Sequence, residues 1–356
     1  MLAFLKMTMS TNDYSNYLKE KFPPKENFVK RMEKLLGEVE AKKFFEISYT
    51  QTPNSIRCNT LKILPDELKK RLEFYGWEIK QPYNEFPEVM IITNKIFPGE
   101  LGNSKEHLLG YFYVQEISSM LPMLALQPKN GEIILDLCAS PGSKTTQAAA
   151  MMENKGTIIA NEVNMGRISI LNSNLERCGV MNTIVTRKDG VALCNLLLKK
   201  SQIRFDKILV DAPCSGEGTL RKSPKTFQMW NENMIKKIAS TQKKLAESAI
   251  RLLKVNGEMI YSTCTLAPEE NEFIINHLKE KFDIKIEKII LPLKSRHGIC
   301  KWEGENLSKE VENCLRLYPQ DNNTDGFFIA KIKKISEKEK DEKYTKNIQN
   351  ILLNTL

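Results

Sequence analysis

From Gly131 onward the chain alternates short β-branched, apolar runs with helical stretches, and this alternation limits the fold more than any other feature. Strands are expected near 133–137, 157–161, 183–187, 206–210 and 258–263, with helices near 144–152, 165–177, 191–199, 233–254 and 269–281. That rhythm belongs to an α/β domain with a doubly wound parallel sheet. Late runs at Lys288–Leu291 and Gly326–Lys331 are expected to complete one edge. In such a sheet, ligands and reacting side chains gather in the crevice outside the carboxyl ends of the strands.

Three of those strand ends are distinctive. Glu132–Leu135 leads into Asp136-Leu-Cys-Ala-Ser-Pro-Gly-Ser-Lys144, and Lys207–Val210 into Asp211-Ala-Pro-Cys-Ser-Gly-Glu-Gly218. Glu258–Ser262 runs into Cys264 of Tyr261-Ser-Thr-Cys-Thr265. The first turn holds Cys138, Ala139, Ser140, Pro141, Gly142, Ser143 and Lys144. It is no dinucleotide fingerprint, which needs three spaced glycines, and no P-loop, because Ser143 separates Gly142 from Lys144. A glycine at a helix N-terminus still lets backbone approach a cofactor. Glu162 lies 20 residues after Gly142, the spacing at which an acidic side chain reaches a ribose diol. Asp189 follows the third strand, where a carboxylate could accept from an adenine amino group. Singly, Glu162 and Asp189 read equally well as helix N-caps. Jointly with Asp136 and Asp211, all at strand ends, they favour a bound adenosine.

Eight cysteines are spread over positions 58, 138, 178, 194, 214, 264, 300 and 314, with no C-x-x-C pair and only three histidines. A structural zinc site is not expected, and scattered thiols read as reduced and cytoplasmic. Met1–Thr11 is too short for a secretory leader, and no run approaches the roughly 18 apolar residues of a membrane span. A lone cysteine is more often packing than chemistry. Cys214 and Cys264 differ, because both sit at strand ends of a cofactor-binding sheet. A reactive thiol needs positive or helix-terminal surroundings, and the helix expected to begin around Pro268 offers its N-terminus to Cys264.

The first third of the chain reads differently. Tyr14–Phe45 has helical spacing interrupted by Pro23-Pro24. A strand at Ser55–Asn59, a helix at Pro65–Tyr75 and strands at Trp77–Lys80 and Val89–Thr93 follow. This order suggests a small α+β module with an RNA-recognition-like sheet. Gly110–Leu126 bridges to the larger domain, its Met/Leu spacing reading as core. The expected division is 1–110 for the helical and α+β module, 111–335 for the larger domain and 336–356 for a charged tail, solvated helix or frayed end. Residues 1–119 hold 17 Lys and Arg against 16 Asp and Glu, whereas the rest hold 36 against 28. Nine basic and four acidic residues fall within Arg187–Lys225, around Cys214. A basic rim suits a polyanion, since phosphates dominate nucleic-acid affinity, although a solubilising surface has the same composition.

These motifs resemble the S-adenosylmethionine-dependent RNA cytosine-5 methyltransferases of the Fmu/Nop2/Sun family, over roughly residues 14–335. The resemblance rests on Arg57-Cys-Asn-Thr-Leu-Lys62, Tyr113-Val-Gln-Glu116, Asp136–Lys144, Asp211–Gly218 with Arg221-Lys222, Tyr261–Thr265 and Asp325-Gly-Phe-Phe-Ile-Ala-Lys331. It implies a seven-stranded, Rossmann-like methyltransferase sheet and S-adenosylmethionine as cofactor. By the same resemblance, Cys264 attacks carbon 6 of cytosine, Asp211 holds ring nitrogen 3 and Lys144 supports Asp211. Cys214 then assists proton removal at carbon 5 or release of the product. Cofactor contacts would come from Cys138–Lys144, Glu162, Arg167, Asp189 and Asp211, and RNA contacts from Arg57, Asn59, Arg221 and Lys222. The compact form resembles members acting on tRNA, with ribosomal RNA the alternative substrate and an accessory protein a further possible source of RNA affinity. A non-catalytic RNA-binding scaffold would lack one of the cysteines or Asp211, and methyl transfer to protein or a small molecule would need no thiol pair.

Overall fold

The computed structural model describes residues 11–97 and 99–339. Its larger sheet has nine strands. Five are parallel neighbours: β5 (Ile133–Asp136), β6 (Thr157–Asn161), β7 (Thr183–Thr186), β8 (Phe205–Asp211) and β9 (Leu253–Thr263), in the order β9-β8-β5-β6-β7. The last strand, β15 (Phe327–Glu339), runs antiparallel beside β9. Its free side takes two partners end to end. β14 (Leu315–Leu317) pairs with Phe327–Ile329, and β10 (Phe282–Glu287) pairs with Lys331–Glu339. The two-residue β11 (Arg296–His297) extends the β14 side, giving two strands more than the seven expected.

Burial explains the pattern. Ile134, Leu209 and Ile260 pack on one face of the sheet with Leu121, Leu124 and Ala148. Their neighbours Leu135, Ile208 and Met259 pack on the other with Leu245, Ala249 and Ile274. Successive strand residues point to opposite faces, so a strand covered on both faces must be apolar throughout, as the central runs are. The expected strand at Lys288–Leu291 is not formed. The strand lies just before it, where Phe282, Ile284 and Ile286 are buried between polar neighbours, whereas Ile290 is 85% exposed. Ser336–Glu339, expected in a solvated tail, are instead the end of β15, held by Ser336 Oγ to Asp283 (2.7 Å) and the Arg251–Glu339 ion pair (2.8 Å). The remainder of that expected tail, 340–356, lies outside the described residues.

A separate N-terminal domain carries four antiparallel strands in the order β2-β3-β1-β4. These are β1 (Asn54–Cys58), β2 (Ile79–Lys80), β3 (Val89–Ile92) and β4 (Phe112–Val114), with the Pro65–Phe74 helix covering one face. The helical stretch before it breaks twice: after Lys21 at Pro23-Pro24, and at Gly37, whose φ of 81° ends Glu26–Leu36 before Glu38–Ser48 begins. These helices pack on the larger domain. Phe28, Phe44 and Tyr49 form one core with Leu220, Phe227, Trp230, Leu266 and Ala267, so they rest on the loops that follow both key cysteines.

The two sheets are joined through buried polar side chains. Arg57 is buried and donates to Gln115, to Ser143 O (2.6 Å) and to Thr146 Oγ1 (2.8 Å). Burial pulls its pKa down to about 10. Asn59 donates to Gly110 O and Cys178 O, both at 2.8 Å. Both were expected at an RNA surface; both are instead interior ties, because the Arg57 terminal nitrogens and the Asn59 amide donate to acceptors that would otherwise be buried unpaired. Replacing Arg57 by Leu leaves those acceptors without donors. Arg57→Leu should lower unfolding free energy by about 3 kcal/mol. Urea titration followed by circular dichroism measures this, and an unchanged midpoint would contradict the tie.

Candidate active site

The strand ends converge as the parallel sheet requires. Asp136, Asn161 and Asp211 close β5, β6 and β8, and the register sets Asp211 beside Ser262 of β9. Lys144 Nζ lies 2.7 Å from Asp211 Oδ2 and donates to Ser119 Oγ at 3.0 Å. Ser262 Oγ donates to Asp211 Oδ1 at 2.7 Å. The Asp211 carboxylate is thus held from two sides, and the same Lys144 sits 5.5 Å from the Phe327 ring centroid.

Just beyond these strands, Cys214 Sγ and Cys264 Sγ lie 3.0 Å apart, both partly buried free thiols. Two loops hold them. Ser215 and Thr265 hydroxyls bond at 2.7 Å, linking the residue after each cysteine. Glu270 Oε2 accepts from Ser215 N (3.0 Å) and from Gln242 Nε2 (2.8 Å), and Gln242 also donates to Pro213 O (2.8 Å). A helix does begin after Cys264, but a 3-10 turn at Pro268–Glu270 precedes Glu272–Lys281. Hydrogen bonding to Cys264, then burial, holds the Cys214 thiol well above its ordinary pKa.

The expected cofactor turn lies beside this pair. Gly142, at φ 102°, turns the chain into the Ser143–Met151 helix, and a side chain there would meet Leu171 Cδ1 at 2.9 Å. The Ser140–Pro141 peptide is cis. Asp136 is buried; Oδ2 accepts from Thr145 Oγ1 (2.7 Å), while Oδ1 has no partner among the described residues. Burial lifts its pKa to about 6. An acceptor left open at the mouth of a glycine turn fits a ligand that brings donors of its own. Glu162 is buried and receives Asn164 N (2.8 Å) and Arg167 Nη1 (3.3 Å). Arg167 also donates to Ser140 O (2.6 Å), fastening the turn from outside. Asp189 is exposed and caps the Gly190–Lys200 helix through Ala192 N (3.0 Å).

The expected RNA contacts in the larger domain separate. Arg221 is 8% exposed and donates to Thr50, Gln51, Asn323 and Thr324, so it clamps two chain segments and is not a surface cation. Lys222 is exposed and pairs with Asp325 Oδ2 at 2.6 Å. Ser119, Ser262, Gln242 and Glu270 escaped the sequence reading. Ser262 lies inside the Tyr261–Thr265 motif and Glu270 a few residues beyond it, but only the strand register and loop packing show what they contact.

With this geometry in place, the chain compares closely with known proteins. The family model described as 16S rRNA methyltransferase RsmB/F matches residues 123–333, and the N-terminal domain of 16S rRNA methyltransferase RsmF matches 24–117. A ribosomal RNA small subunit methyltransferase F of Vibrio cholerae is 40% identical over 87% of this chain and 64% of its own length. The chain therefore spans just under two thirds of the length of that relative. The tRNA (cytosine(49)-C(5))-methyltransferase of Pyrococcus abyssi is also 40% identical, over 87% of this chain and 98% of its own. Among solved structures, a methyltransferase homologue from Pyrococcus horikoshii superimposes with TM-score 0.78 at 36% identity, covering 92% of this chain and 100% of that one. NSun6 from the same organism gives 0.75 at 26% identity, over 88% and 98%. On the match over 123–333 and these relatives, the chain belongs to the RsmB/F methyltransferase family.

Proposed function

We propose that the chain methylates carbon 5 of cytosine in RNA, with tRNA the preferred substrate and ribosomal RNA the second candidate. The observation that carries this is the Cys214–Cys264 pair, 3.0 Å apart beside the Lys144–Asp211 ion pair. Amine or hydroxyl acceptors need no thiol, whereas carbon 5 of a pyrimidine is a poor nucleophile until another carbon of the ring is attacked. The preference for tRNA draws on the Pyrococcus abyssi relative, which this chain covers over 98% of its length.

The assigned roles follow from position. S-adenosylmethionine, when bound, supplies an electrophilic sulfonium methyl. Gly142 and the turn Cys138–Ser143 would let backbone approach it, with Asp136 Oδ1 an open acceptor at that turn. Asp189 is exposed and its second oxygen carries no cap, so it remains available to a ligand donor. Either sulfur of the hydrogen-bonded pair can donate, and the family resemblance is what gives Cys264 the nucleophile's role. Cys264 Sγ adds to carbon 6, its thiol proton is transferred by way of Asp211 to nitrogen 3, and the displaced π pair passes into the ring. Lys144 and Ser262 keep the Asp211 carboxylate aimed. Once carbon 5 carries the methyl, its proton leaves to a base, the carbon 5–carbon 6 double bond returns, and the sulfur departs with its electron pair, regaining a proton as nitrogen 3 gives one up. Cys214, touching Cys264, assists that departure. A base stacked in a duplex cannot reach these sulfurs, so the target must be unpaired or flipped out, at a cost of a few kcal/mol.

Incubating the protein with labelled S-adenosylmethionine and separate tRNA and rRNA pools, then digesting to nucleosides, tests the reading; label outside 5-methylcytidine would overturn it. Cys264→Ala should cut turnover by about a thousandfold or more while cofactor binding, followed by calorimetry, persists. Retained turnover would remove Cys264 from the nucleophile's role. Cys214→Ala should accumulate an enzyme–RNA species that survives denaturing electrophoresis. An inactive variant with no such species would place Cys214 before release.

The carboxyl behind Cys214 adds a pH dependence. Burial raises Glu270 from its ordinary 4.5 to about 7, against the hydrogen bonds from Ser215. A carboxyl with a raised folded pKa favours the folded state below pH 4.5, and that contribution is lost as pH rises to about 7. Glu270→Gln still accepts from Ser215 N but does not ionise. From about pH 5 to about pH 8 the variant should gain stability relative to the parent by up to about 3 kcal/mol. Urea midpoints at both pH values measure the change, and parallel curves would mean Glu270 ionises normally.

A further inference from the structure

A groove of about 1150 Å³ lies between the N-terminal sheet and the loop before β15. Lys80 on β2 and Lys95 in the loop after β3 line it, both exposed and with no ion pair among the described residues. Phe97, 79% exposed, stands at the same lining. The one acidic residue of the lining is Glu116, and its carboxylate is occupied. Oε2 caps the Ile117–Leu126 helix through Ser118 N (2.7 Å), and Oε1 accepts from Asp325 N (3.2 Å). The groove thus presents two ammonium groups and an exposed aromatic face, with no acidic side chain free in its lining.

Its inner end adjoins the reacting groups. Ser119, one turn into the helix that Glu116 caps, receives the Lys144 ammonium that pairs with Asp211. From Asp325 the chain passes to Gly326, whose N–H donates to Gly218 O (2.8 Å), and Gly218 N donates to Cys264 O (2.9 Å). The groove's lining is thus hydrogen-bonded, through Asp325 and the neighbouring Gly326, to the segments that carry the thiols. Meanwhile Arg57, Asn59 and Arg221 are spent inside the protein, so the phosphates of a bound RNA must meet other cations.

We propose that this groove holds the unpaired RNA strand flanking the target cytosine, with Lys80 and Lys95 against phosphates and Phe97 stacked on a base. The proposal rests on the RNA methyltransferase reading above. Unpaired lysines beside an exposed aromatic are the elements by which proteins hold single strands without reading sequence. A protein partner would be expected to bring acids to both lysines and an apolar patch to Phe97, and would leave RNA kinetics unaltered.

The test uses the full chain and the RNA pool that the wild type methylates. Phe97→Ala should raise KM for RNA by about tenfold, with kcat at saturating RNA kept. The double variant Lys80→Glu with Lys95→Glu should flatten the slope of log affinity against log salt by about 1.4, two single-strand phosphate contacts at about 0.7 each. Lys285→Glu, exposed on edge strand β10, controls for net charge and should leave both readouts unchanged. Unchanged thermal melting and cofactor affinity would show that the groove variants are folded. Wild-type KM and salt slope in those variants, or an equal loss in the Lys285 control, would overturn the groove. If the wild type forms no 5-methylcytidine at all, the parent reading fails and the groove assignment falls with it.

Discussion

The thiol pair depends on a place where three backbones touch. A side chain on Gly218 would come within 2.2 Å of Gly326 O and 2.8 Å of Cys264 O. The contact is possible only because Gly218 and Gly326 both lack a Cβ, and it is closed by hydrogen bonds from Gly218 N to Cys264 O and from Gly326 N to Gly218 O. Through it the loop after β8, the loop after β9 and the start of β15 become one shelf. The parallel pairing of β8 with β9 brings the two cysteine loops to the same end of the sheet, and the glycine contact presses them together. Neither constraint alone would bring the sulfurs to 3.0 Å.

Behind that shelf lies an unusual amount of buried charge. Glu217 is fully buried, receives Trp230 Nε1 at 2.7 Å, and lies 3.9 Å from Arg31. Arg31 forms a fork with Glu269 at 3.2 and 2.5 Å. Burial raises both Glu217 and Glu270; Glu269 adds to the rise at Glu217, and Glu217 adds to the rise at Glu270. Isolated buried carboxylates would be costly; here Glu217 Oε1 receives Trp230 Nε1 and Glu270 Oε2 receives Ser215 N, while the second oxygen of each has no partner among the described residues. Arg31 belongs to the Glu26–Leu36 helix, so the N-terminal helices neutralise acids that position the cysteine loops. Their apolar core with Phe227 and Trp230 keeps that guanidinium in register.

The parallel sheet and the side chains gathered at its carboxyl edge were legible because central strands are apolar on both faces and acidic or thiol residues recur just beyond them. Asp136, Asp211, Cys214 and Cys264 could be placed there for that reason, and Lys144 by the family resemblance. Arg57, Asn59 and Arg221 misled because a basic or amide side chain looks alike in sequence whether it meets phosphate or a buried carbonyl. Which it meets depends on long-range packing: Arg57 reaches Ser143 across 86 positions, and Arg221 reaches Thr50 across 171. Ser119 was hidden inside an apolar helix, since nine of the ten residues of Ile117–Leu126 are buried and it alone carries the contact to Lys144. Strand β10 was displaced because Ile289-Ile290 is the more apolar pair, although Phe282, Ile284 and Ile286 have the period-2 spacing that an edge strand needs.

The same packing separates two tasks that a basic composition blurs. Charge in the interior fixes geometry: Arg57 and Arg221 each satisfy several acceptors, and Arg31 is forked onto Glu269. Charge available to a polyanion must be exposed and unpaired, which are the conditions met by Lys80 and Lys95 and not by the arginines of the motifs. The planar guanidinium suits the first task, because its fixed fork can bind several carbonyls at once. The ammonium suits the second, because it is a strongly hydrated point charge on a flexible stem that loses little by following a mobile backbone. On the proposed function, this division would give specificity for the pyrimidine to the rigid shelf of Asp211, Cys214 and Cys264, and affinity for the strand to the groove beside it.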